Sequence, residues 1–381
     1  MMNFHDLHAQ YAALKTEIDA GIASVLESGQ FILGKQVAEL EEKLAADVGR
    51  KHCVCCGNGT DALILALKMW GIKTGDAVFV PDFTYFASAG CADAVGATAI
   101  PVDIRLDTFN LCTEALEAMI EKVKAEGKLT PRVIVVVDLF GQPAEHDKVR
   151  AIADKYGLKV LEDAAQGYGG SINGRAACSF GDAAITSFFP AKPLGCYGDG
   201  GAVFVDTDED DALLRSLRAN GRSPVDKYDN VRCGLNSRLD TLQAAILLPK
   251  LKALRDYELD ALDKAADHYT RLLSDIVVTP TVLPGYRSSW AQYTVLLKDR
   301  AMRDAAQAAL KAQGIPTMVY YPKGMHSQTA FAHCHFPDSD YQGSLAACDR
   351  VLSLPMHPYL TGDEIETVAA ALRSFVESWS C

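Results

Sequence analysis

The chain has 381 residues, 49% of them hydrophobic and 23% charged, which is ordinary for a globular protein large enough for a sizeable core. Its 37 Lys and Arg residues against 49 Asp and Glu residues give a formal net charge of −12. Because no dense basic run occurs, the composition argues against a broad nucleic-acid surface, although a local pocket can still hold an anionic small molecule. No secretory leader and no run of about eighteen apolar residues occurs, so we expect a cytosolic protein.

The eleven cysteines are scattered, which without a secretory signal indicates reduced thiols. Two short stretches, Cys53–Cys56 and His333–His335, can be drawn as metal ligands. Neither has the paired spacing of a zinc site, so we expect buried or incidental thiols and no metal.

In chain order, apolar residues at helical spacing first predict helices over residues 11–28 and 36–48. Short runs rich in Val, Ile and Phe then alternate with helix-compatible segments. These predicted strands lie within 77–84, 97–104, 132–141, 158–166, 183–189 and 201–207. Near-continuous apolar strands of this kind indicate an α/β fold, with a mainly parallel central sheet covered by helices on both faces.

The pattern changes from about residue 250 onwards. The predicted elements there are a long charged helix at 250–275, strands at 290–297 and 316–321, and helices at 301–313, 341–351 and 362–378. This mixture is typical of a smaller α+β unit. We therefore predict a large domain over residues 1–250, with an N-terminal helical segment, and a small C-terminal domain over residues 251–381.

Polar residues collect just after several predicted strands: Asp82 to Tyr85, Asp138, Asp163 to Gln166, and Ser187 with Lys192. In an open α/β sheet, ligands bind beyond the carboxyl ends of the strands. The sequence therefore predicts that these residues surround one crevice.

Lys192 lies in "SFFPAKPLGCYGDGG", residues 187–201, between a predicted buried strand and a glycine-rich turn. Lysine is usually a solvated surface residue. A lysine held among apolar residues and glycines can instead have a lowered pKa and act as a Schiff-base nucleophile. The neighbouring groups must decide which cofactor, if any, such a lysine serves.

An anion cradle is predicted at "CCGNGTDALILAL", where Gly57, Gly59 and Thr60 directly precede a helical pattern. Free N–H groups at a helix N-terminus, a hydroxyl and the helix dipole favour a phosphate. The alternative is that Thr60 simply caps its own helix. Ser187 can add a second hydroxyl to the same phosphate.

A carboxylate is predicted at the crevice in "LEDAAQGYGG", because strand alternation turns one of Glu162 and Asp163 towards it. Asp163 is the better placed of the two, with Gln166 following it; the alternative is that Asp163 caps a helix. Tyr85, in "PDFTYFASAG", can stack on a flat ring. A reactive lysine, an anion cradle, a carboxylate and an aromatic face together are what pyridoxal phosphate requires.

These pieces, in this order, resemble the DegT/StrS family of nucleotide-sugar aminotransferases, which have the fold-type I aspartate-aminotransferase architecture and use pyridoxal phosphate. The matching stretches extend across nearly the whole chain and are "GNGTDAL", "PDFTYFASA", "PVDIRLDTFNL", "LEDAAQGYG", "SFFPAKPLGCYGDGGAVF", "GLNSRLDTLQAA" and "YYPKGMHSQ". The resemblance implies that Lys192 forms the Schiff base and that Asp163 pairs with the pyridine nitrogen. It also implies that Gln166 lies beside the cofactor and that Tyr85 stacks on its face.

The same resemblance implies that Gly59, Thr60 and Ser187 hold the cofactor phosphate. Asn236 matches a residue that such enzymes contribute to the phosphate of the neighbouring subunit, which implies an obligate homodimer with shared active sites. Arg238 and His326 match positions that approach the sugar nucleotide.

The stretch "FFPAKPLGCYGDGG" resembles that of the family branch that aminates C3 of UDP-2-acetamido-2-deoxy-3-oxo-glucuronate for surface polysaccharides. The resemblance implies that L-glutamate is the amino donor. Cations for the diphosphate and uronate are expected among Arg222, Lys227, Arg232 and Arg238, unless these are ordinary surface charges. Two positions depart from the family pattern: Asp138 stands where many relatives have His, and "KGM" replaces Pro-Leu before His326.

The alternatives are an aminotransferase for a C4-keto sugar, a pyridoxal-dependent sugar dehydratase, and a non-catalytic regulator on the same fold. Dehydratase relatives replace the Schiff-base lysine by His, which disfavours that reading because Lys192 is present. A Rossmann dehydrogenase is also disfavoured, because no GxGxxG motif follows the first predicted strand.

Overall fold

The computed structural model describes residues 2–226 and 228–379. A seven-stranded sheet lies at its centre, with the strand order β1-β9-β8-β5-β4-β2-β3. The strands of this sheet are β1 (His52–Cys56), β2 (Asp76–Pro81), β3 (Thr98–Val102), β4 (Thr130–Val137), β5 (Lys159–Asp163), β8 (Ala183–Ser187) and β9 (Gly201–Val205). Strand β9 is antiparallel to both of its neighbours, and the remaining pairs are parallel. The predicted α/β fold with a mainly parallel sheet is confirmed.

Helices cover both faces of this sheet. One face packs against α3 (Gly59–Met69), α4 (Ala87–Ala94) and α7 (Asp208–Leu217), and the other against α2 (Lys35–Val48), α5 (Thr113–Glu126), α6 (His146–Tyr156) and α8 (Thr241–Ala253). The N-terminal helix α1 (Leu7–Ser28) packs on α8. Because both faces are buried, the strands read as continuous apolar runs instead of alternating ones.

Two short ladders supplement the central sheet. Strand β6 (Ser171–Ile172) pairs with β7 (Arg175–Ala176) and with β10 (Tyr286–Arg287). Strand β11 (Tyr293–Leu296) pairs antiparallel with β12 (Val351–Leu354). Strands β10, β11 and β12 of these ladders all lie after residue 285 in the chain.

The C-terminal part has its own apolar core, formed by β11, β12 and three helices. These helices are α9 (Leu259–Leu273), α10 (Arg300–Ala312) and α12 (Gly362–Trp379), and α11 (Gln342–Arg350) lies beside them. The predicted charged helix at 250–275 is part of a longer run, in which a π-helical turn over Leu254–Glu258 joins α8 to α9.

The predicted strand at 316–321 is wrong, because that segment pairs only through Met318, which bridges to Ser353. Pro316 and Pro322 bound the segment, and proline removes a ladder donor and limits strand length. Conversely, β1 and β12 were not among the predicted strands. Within the described ranges, no helix combines the length and apolarity that crossing a membrane requires.

Candidate active site

Lys192 lies on the loop that joins β8 to β9, at the carboxyl end of β8. Backbone hydrogen bonds close this loop tightly: the Lys192 N–H donates to the Phe189 carbonyl and the Phe188 N–H to the Gly200 carbonyl, each at 2.8 Å. At Gly195 a Cβ atom would lie 2.4 Å from the Pro190 carbonyl oxygen, so only glycine fits. The fold therefore holds Lys192 in one place instead of leaving it on a mobile surface turn.

The ammonium of Lys192 is partly buried and has no hydrogen-bond partner within the part of the chain that the structure describes. Desolvation lowers the pKa of Lys192, and the nearby negative charge of Asp163 opposes this shift. A lowered pKa increases the fraction of free amine at neutral pH, which is the nucleophilic form.

Asp163 ends β5 and is buried. Its Oδ2 accepts a hydrogen bond from the Ser88 hydroxyl at 2.8 Å, and its Oδ1 accepts one from the Ala165 N–H at 3.2 Å. Burial raises the pKa of Asp163, while the Ser88 and Ala165 donors and the charge of Lys192 lower it. The chain after Asp163 forms turns, not a helix, so the helix-cap alternative does not describe this residue.

Sequence reasoning missed Ser88, which lies on α4 and is buried. Its hydroxyl also meets that of Thr84, at 3.2 Å, where either oxygen can donate. The distance of 75 residues between Ser88 and Asp163 left no local signal in the sequence for this contact. Ser88 orients the carboxylate and stabilises its charged form.

The structure brings the predicted anion cradle together. A Cβ atom on Gly59 would lie 2.7 Å from the Ser187 Cβ, so the start of α3 and the end of β8 are in close contact. The N-cap of α3 is Asn58, whose side chain accepts from the Asp61 N–H at 2.7 Å. Thr60 is therefore not the cap, and its exposed side chain remains free for a ligand beside the first N–H groups of the helix.

Gln166, three residues after Asp163, is buried, and both ends of its side-chain amide are hydrogen-bonded. Its Oε1 accepts from the Phe140 N–H at 2.8 Å, and its Nε2 donates to the Tyr321 hydroxyl at 3.1 Å. Tyr85 is exposed, and its ring centroid lies 6.4 Å from that of Tyr321. Tyr321 is a second residue that sequence reasoning missed; it reaches the crevice from the C-terminal part of the chain.

The predicted substrate cations differ in their surroundings. Arg238 is half-buried, and its guanidinium has no partner among the residues that the structure describes. Arg232 donates to the Ser216 hydroxyl at 2.5 Å, and Arg222 is held in the same loop by a backbone bridge to Asn230. Lys227 lies outside the described residues.

The segment that carries Arg238 also approaches the anion cradle. Asn236 is exposed, and the Ser237 hydroxyl next to it accepts a hydrogen bond from the Gly57 N–H at 2.9 Å. This contact ties the segment to the loop before α3 within one subunit.

His326 is buried, with only 1% of its side chain exposed, whereas a residue that binds substrate directly is expected to be accessible. Its Nδ1 lies 2.7 Å from Asp82 Oδ2, its backbone N–H donates to Asp82 Oδ1, and its ring stacks on Tyr341 at 4.5 Å between centroids. The predicted contact with the sugar nucleotide stays a prediction. The described contacts are those of a residue that fixes the loop after β2.

Comparison with known proteins identifies the family. The model of the DegT/DnrJ/EryC1/StrS aminotransferase family matches residues 12–373. The chain belongs to this family. The resemblance in sequence motifs is thereby confirmed.

Relatives of this aminotransferase match over nearly its full length. The UDP-2-acetamido-2-deoxy-3-oxo-D-glucuronate aminotransferase of Pseudomonas aeruginosa is 45% identical over 377 residues, covering 98% of this chain and 99% of that protein. A pleiotropic regulatory protein of Geobacillus stearothermophilus is 41% identical over 375 residues, covering 97% of each chain. The crystal structure of a DegT/DnrJ/EryC1/StrS aminotransferase from Brucella abortus superposes with a TM-score of 0.95 at 44% identity, over 98% of this chain and 99% of that one.

Aminotransferases of this family depend on pyridoxal phosphate, and so does this one. The residues present fit that cofactor. A cradle too narrow for a Cβ at Gly59 and free helix N–H groups suit a phosphate, and a buried carboxylate at Asp163 suits a protonated ring nitrogen. The unpartnered amine of Lys192 suits a covalent bond to the cofactor aldehyde.

Proposed function

We propose that this aminotransferase moves an amino group from L-glutamate to C3 of UDP-2-acetamido-2-deoxy-3-oxo-D-glucuronate, for the synthesis of a surface polysaccharide such as an O-antigen. The observation that carries the chemistry is the placement of a desolvated Lys192 near the buried carboxyl group of Asp163, beyond the neighbouring strands β8 and β5. The 45% identity to the Pseudomonas aeruginosa enzyme over 98% of the chain supports the choice of sugar.

Bound pyridoxal phosphate supplies an aldehyde that condenses with amines and a ring that accepts electrons from the adjacent carbon. In our proposal Asp163 keeps a proton on the ring nitrogen, since a carboxylate beside that nitrogen stabilises its positive charge. Ser88 holds the carboxylate in this orientation through its 2.8 Å hydrogen bond.

In the same proposal Lys192 would hold the cofactor covalently in the resting enzyme and, as a free amine, would serve as the base. Its lowered pKa leaves it able to take the proton from the α-carbon of the donor and return it at the carbon next to the ring. With the keto sugar bound, Lys192 would move a proton in the opposite direction, onto the sugar carbon that receives the amino group.

The cofactor is positioned by the remaining predicted residues. We propose that Gly59, Thr60 and Ser187 hold its phosphate, that Tyr85 covers its ring face and that Gln166 donates to its hydroxyl. Gln166 can do so because only one of its two Nε2 hydrogens is needed by Tyr321.

The assembly and location are part of the same proposal. Asn236 of each subunit reaches the cofactor phosphate of the other in a homodimer, and Arg238 from the same segment binds the substrate diphosphate or uronate. The exposed Val225 and Tyr228, 93% and 83% accessible, lie in the loop before Asn236, where a second copy would cover them. We also propose a large domain of residues 1–250, a small domain of residues 251–381, and a cytoplasmic enzyme.

The test is a spectrum followed by an assay. The purified protein, reconstituted with pyridoxal phosphate, should show a visible absorbance band that L-glutamate bleaches. A panel of UDP- and dTDP-linked 3-amino and 4-amino sugars with 2-oxoglutarate should then give glutamate, fastest with the UDP-linked 3-amino uronate. The Lys192→Ala variant is the matched control. If the reconstituted protein shows no visible absorbance band, the assignment of this site to pyridoxal phosphate is wrong.

The same assay addresses the other candidates. Preference for a 4-amino sugar would leave the site intact and change the substrate. A protein that binds the cofactor but whose absorbance no amino donor bleaches would match a regulatory role. The amine of Lys192, which has no hydrogen-bond partner among the described residues, favours catalysis.

A further inference from the structure

Three fully or almost fully buried ionisable side chains form a cluster, one member of which is next to Asp163 in the chain. Asp138 and Glu162 are 0% exposed and His146 is 4% exposed. One ligating atom from each lies within 4.8 Å of the other two. Asp138 directly follows β4, and Glu162 is the residue of β5 that precedes Asp163.

The hydrogen bonds of Glu162 identify it as the charged member. Its Oε1 accepts from the Cys178 N–H at 2.6 Å and its Oε2 from the Phe180 N–H at 2.7 Å. Short bonds of this kind to both oxygens are typical of a carboxylate, and a proton on either oxygen would compete with a backbone donor.

Asp138 has the opposite pattern. Its Oδ1 accepts two hydrogen bonds, from the Ala144 N–H at 2.9 Å and from His146 Nε2 at 2.8 Å. Its Oδ2 is buried without a partner among the described residues. A buried oxygen of a charged carboxylate left unpaired is costly, whereas a protonated Oδ2 becomes a donor that can point at Glu162.

His146 completes the arrangement as a neutral ring. Its Nδ1 is buried and meets no partner within the described residues, so a proton there would be unsatisfied, and the proton belongs on Nε2, which donates to Asp138. Its ring stacks on Phe180 with 4.4 Å between centroids. Burial lowers the pKa of His146, in agreement with a neutral ring.

A divalent cation does not fit these contacts. The Nε2 of His146 is bonded directly to Asp138, and both oxygens of Glu162 face backbone N–H groups. A metal would need these atoms turned towards itself at about 2 Å. If one proton is added to Asp138 Oδ2, every hydrogen-bond donor of the three side chains has an acceptor within the cluster.

We propose that Asp138 carries a proton on Oδ2 at neutral pH and donates it to a charged Glu162, and that this acid pair is a positioning element for Gln166. The positioning part rests on the proposed cofactor site, whereas the shared proton is independent of it.

The route from the acid pair to Gln166 is short. Asp138 Oδ1 holds the Ala144 N–H and so closes the turn 138–144. Within this turn Phe140, at a φ of 59°, aims its N–H at Gln166 Oε1. The Asp138 N–H also donates to the Asp163 carbonyl at 3.1 Å. Asp138 thus helps to fix both the backbone carbonyl of Asp163 and the side-chain amide of Gln166.

Sharing a proton also limits the negative charge next to Asp163. Burial raises the pKa of Asp138 to about 8, and burial also raises the pKa of Glu162. The other ionisable groups that face the cluster from neighbouring elements are Asp163, Asp147, Arg175, Cys178 and Tyr286. With one proton between them, the two acids carry one negative charge instead of two.

The raised pKa of Asp138 fixes the direction in which the stability of the fold changes with pH. A carboxyl whose pKa is raised on folding binds a proton in the native state that the unfolded state has lost above about pH 4. Its contribution to stability is therefore complete at low pH and is lost as the pH rises through about 8.

The test compares two isosteric variants of the pure protein, Asp138→Asn and Glu162→Gln. An Asn side chain can accept from Ala144 and His146 through its oxygen and donate to Glu162 through its nitrogen, so Asp138→Asn should unfold at nearly the wild-type temperature at pH 6. At pH 9 it should unfold at or above the wild-type temperature, because the wild type has lost its shared proton. Glu162→Gln turns an N–H donor towards a backbone N–H and should lower the unfolding temperature at both pH values.

Infrared spectra of the wild type test the proton without any variant. A protonated carboxyl stretch should be present at pH 7, shift when the protein is labelled with ¹³C-carboxyl aspartate, and disappear as the pH rises through about 8. Its absence at pH 7 overturns the shared proton, as does a shift on glutamate labelling instead. A chelator that lowers the unfolding temperature of the wild type would show a metal and also overturn it.

The positioning role has a separate readout. Asp138→Ala should shift the visible band of the bound cofactor and its pH dependence, and Asp138→Asn should restore both. An unshifted band in Asp138→Ala contradicts the link to Gln166 but leaves the proton assignment standing on the infrared result.

Discussion

The hydroxyl of Ser88, on α4, donates a 2.8 Å hydrogen bond to Oδ2 of Asp163, at the end of β5. Both groups are buried, and the bond links two elements 75 residues apart in the chain. This bond lowers the pKa of the Asp163 carboxyl, in opposition to burial, which raises it.

Ser88→Ala should therefore weaken cofactor binding. A hydrogen bond to a charged group contributes about 1.5–3 kcal/mol, so we expect the dissociation constant of pyridoxal phosphate to rise by about tenfold or more. The acid limb of the activity profile should move to higher pH, because removing the donor raises the pKa of Asp163 further. Absorbance titration and a pH profile measure both effects, with Ser88→Thr as the control that keeps the hydroxyl. An unchanged dissociation constant contradicts the role.

Lys192→Arg should abolish turnover. A guanidinium stays protonated at working pH and can act neither as the tether nor as the base, so we expect kcat to fall by about 10³-fold or more. Borohydride treatment of the wild type should label the peptide that contains Lys192, as read by mass spectrometry, and the variant should remain unlabelled. Equal turnover of the variant and the wild type would contradict the assignment of Lys192 as the Schiff-base lysine and base.

Gly59→Ala should affect the cofactor phosphate more than the fold. The added Cβ would lie 2.7 Å from Ser187 Cβ and 3.1 Å from its hydroxyl, which narrows the cradle. We expect weaker binding of pyridoxal phosphate, measured by absorbance titration. Gly362→Ala is the matched control, since its Cβ would have no neighbour closer than 3.9 Å. Equal binding in both variants would argue against a phosphate at Gly59.

Arg238→Ala should raise the KM for the sugar nucleotide strongly while leaving the visible spectrum of the cofactor intact. The reason is that its guanidinium is half-buried yet has no partner within the described residues, as expected of a group reserved for an anion. Steady-state kinetics with the sugar nucleotide measure the effect. Arg232→Ala is the comparison, because Arg232 already bonds to Ser216. An unchanged KM in Arg238→Ala rejects the assignment.

Shared active sites predict complementation between inactive subunits. Lys192→Ala and Asn236→Ala homodimers should both be poorly active, whereas mixing them with subunit exchange should regain activity, because half of the sites in a mixed dimer carry both native residues. Activity after mixing and sedimentation of the mixture measure this. Activity that stays at the mean of the two parents would show that each site belongs to one subunit.

The elements and much of the candidate site followed from the sequence. Six strands of the central sheet overlap predicted runs, with β2 and β4 beginning one and two residues earlier than predicted, and their carboxyl ends carry residues singled out beforehand, including Asp163 and Ser187. Local spacing was sufficient here, because a strand buried on both faces is continuously apolar and its end is marked where polar residues begin.

Local spacing failed where pairing or packing between distant segments decides the outcome. The segment 316–321 has strand-forming residues but is bounded by prolines and meets the β11–β12 ladder only at Met318. The contact between His326 and Asp82, which lies 244 residues earlier, likewise left no local signal in the sequence.

The sequence by itself determined the alternation of strands and helices, the glycine-bounded lysine and the family. The tertiary structure alone decided that Ser88 holds Asp163, that Tyr321 reaches Gln166, and that Asp138, His146 and Glu162 meet in one buried cluster. Periodicity reports which side of an element faces the core. The partner of a buried polar group is instead chosen by how the elements pack, and burial makes that choice strict, because an unpaired polar group away from water is costly.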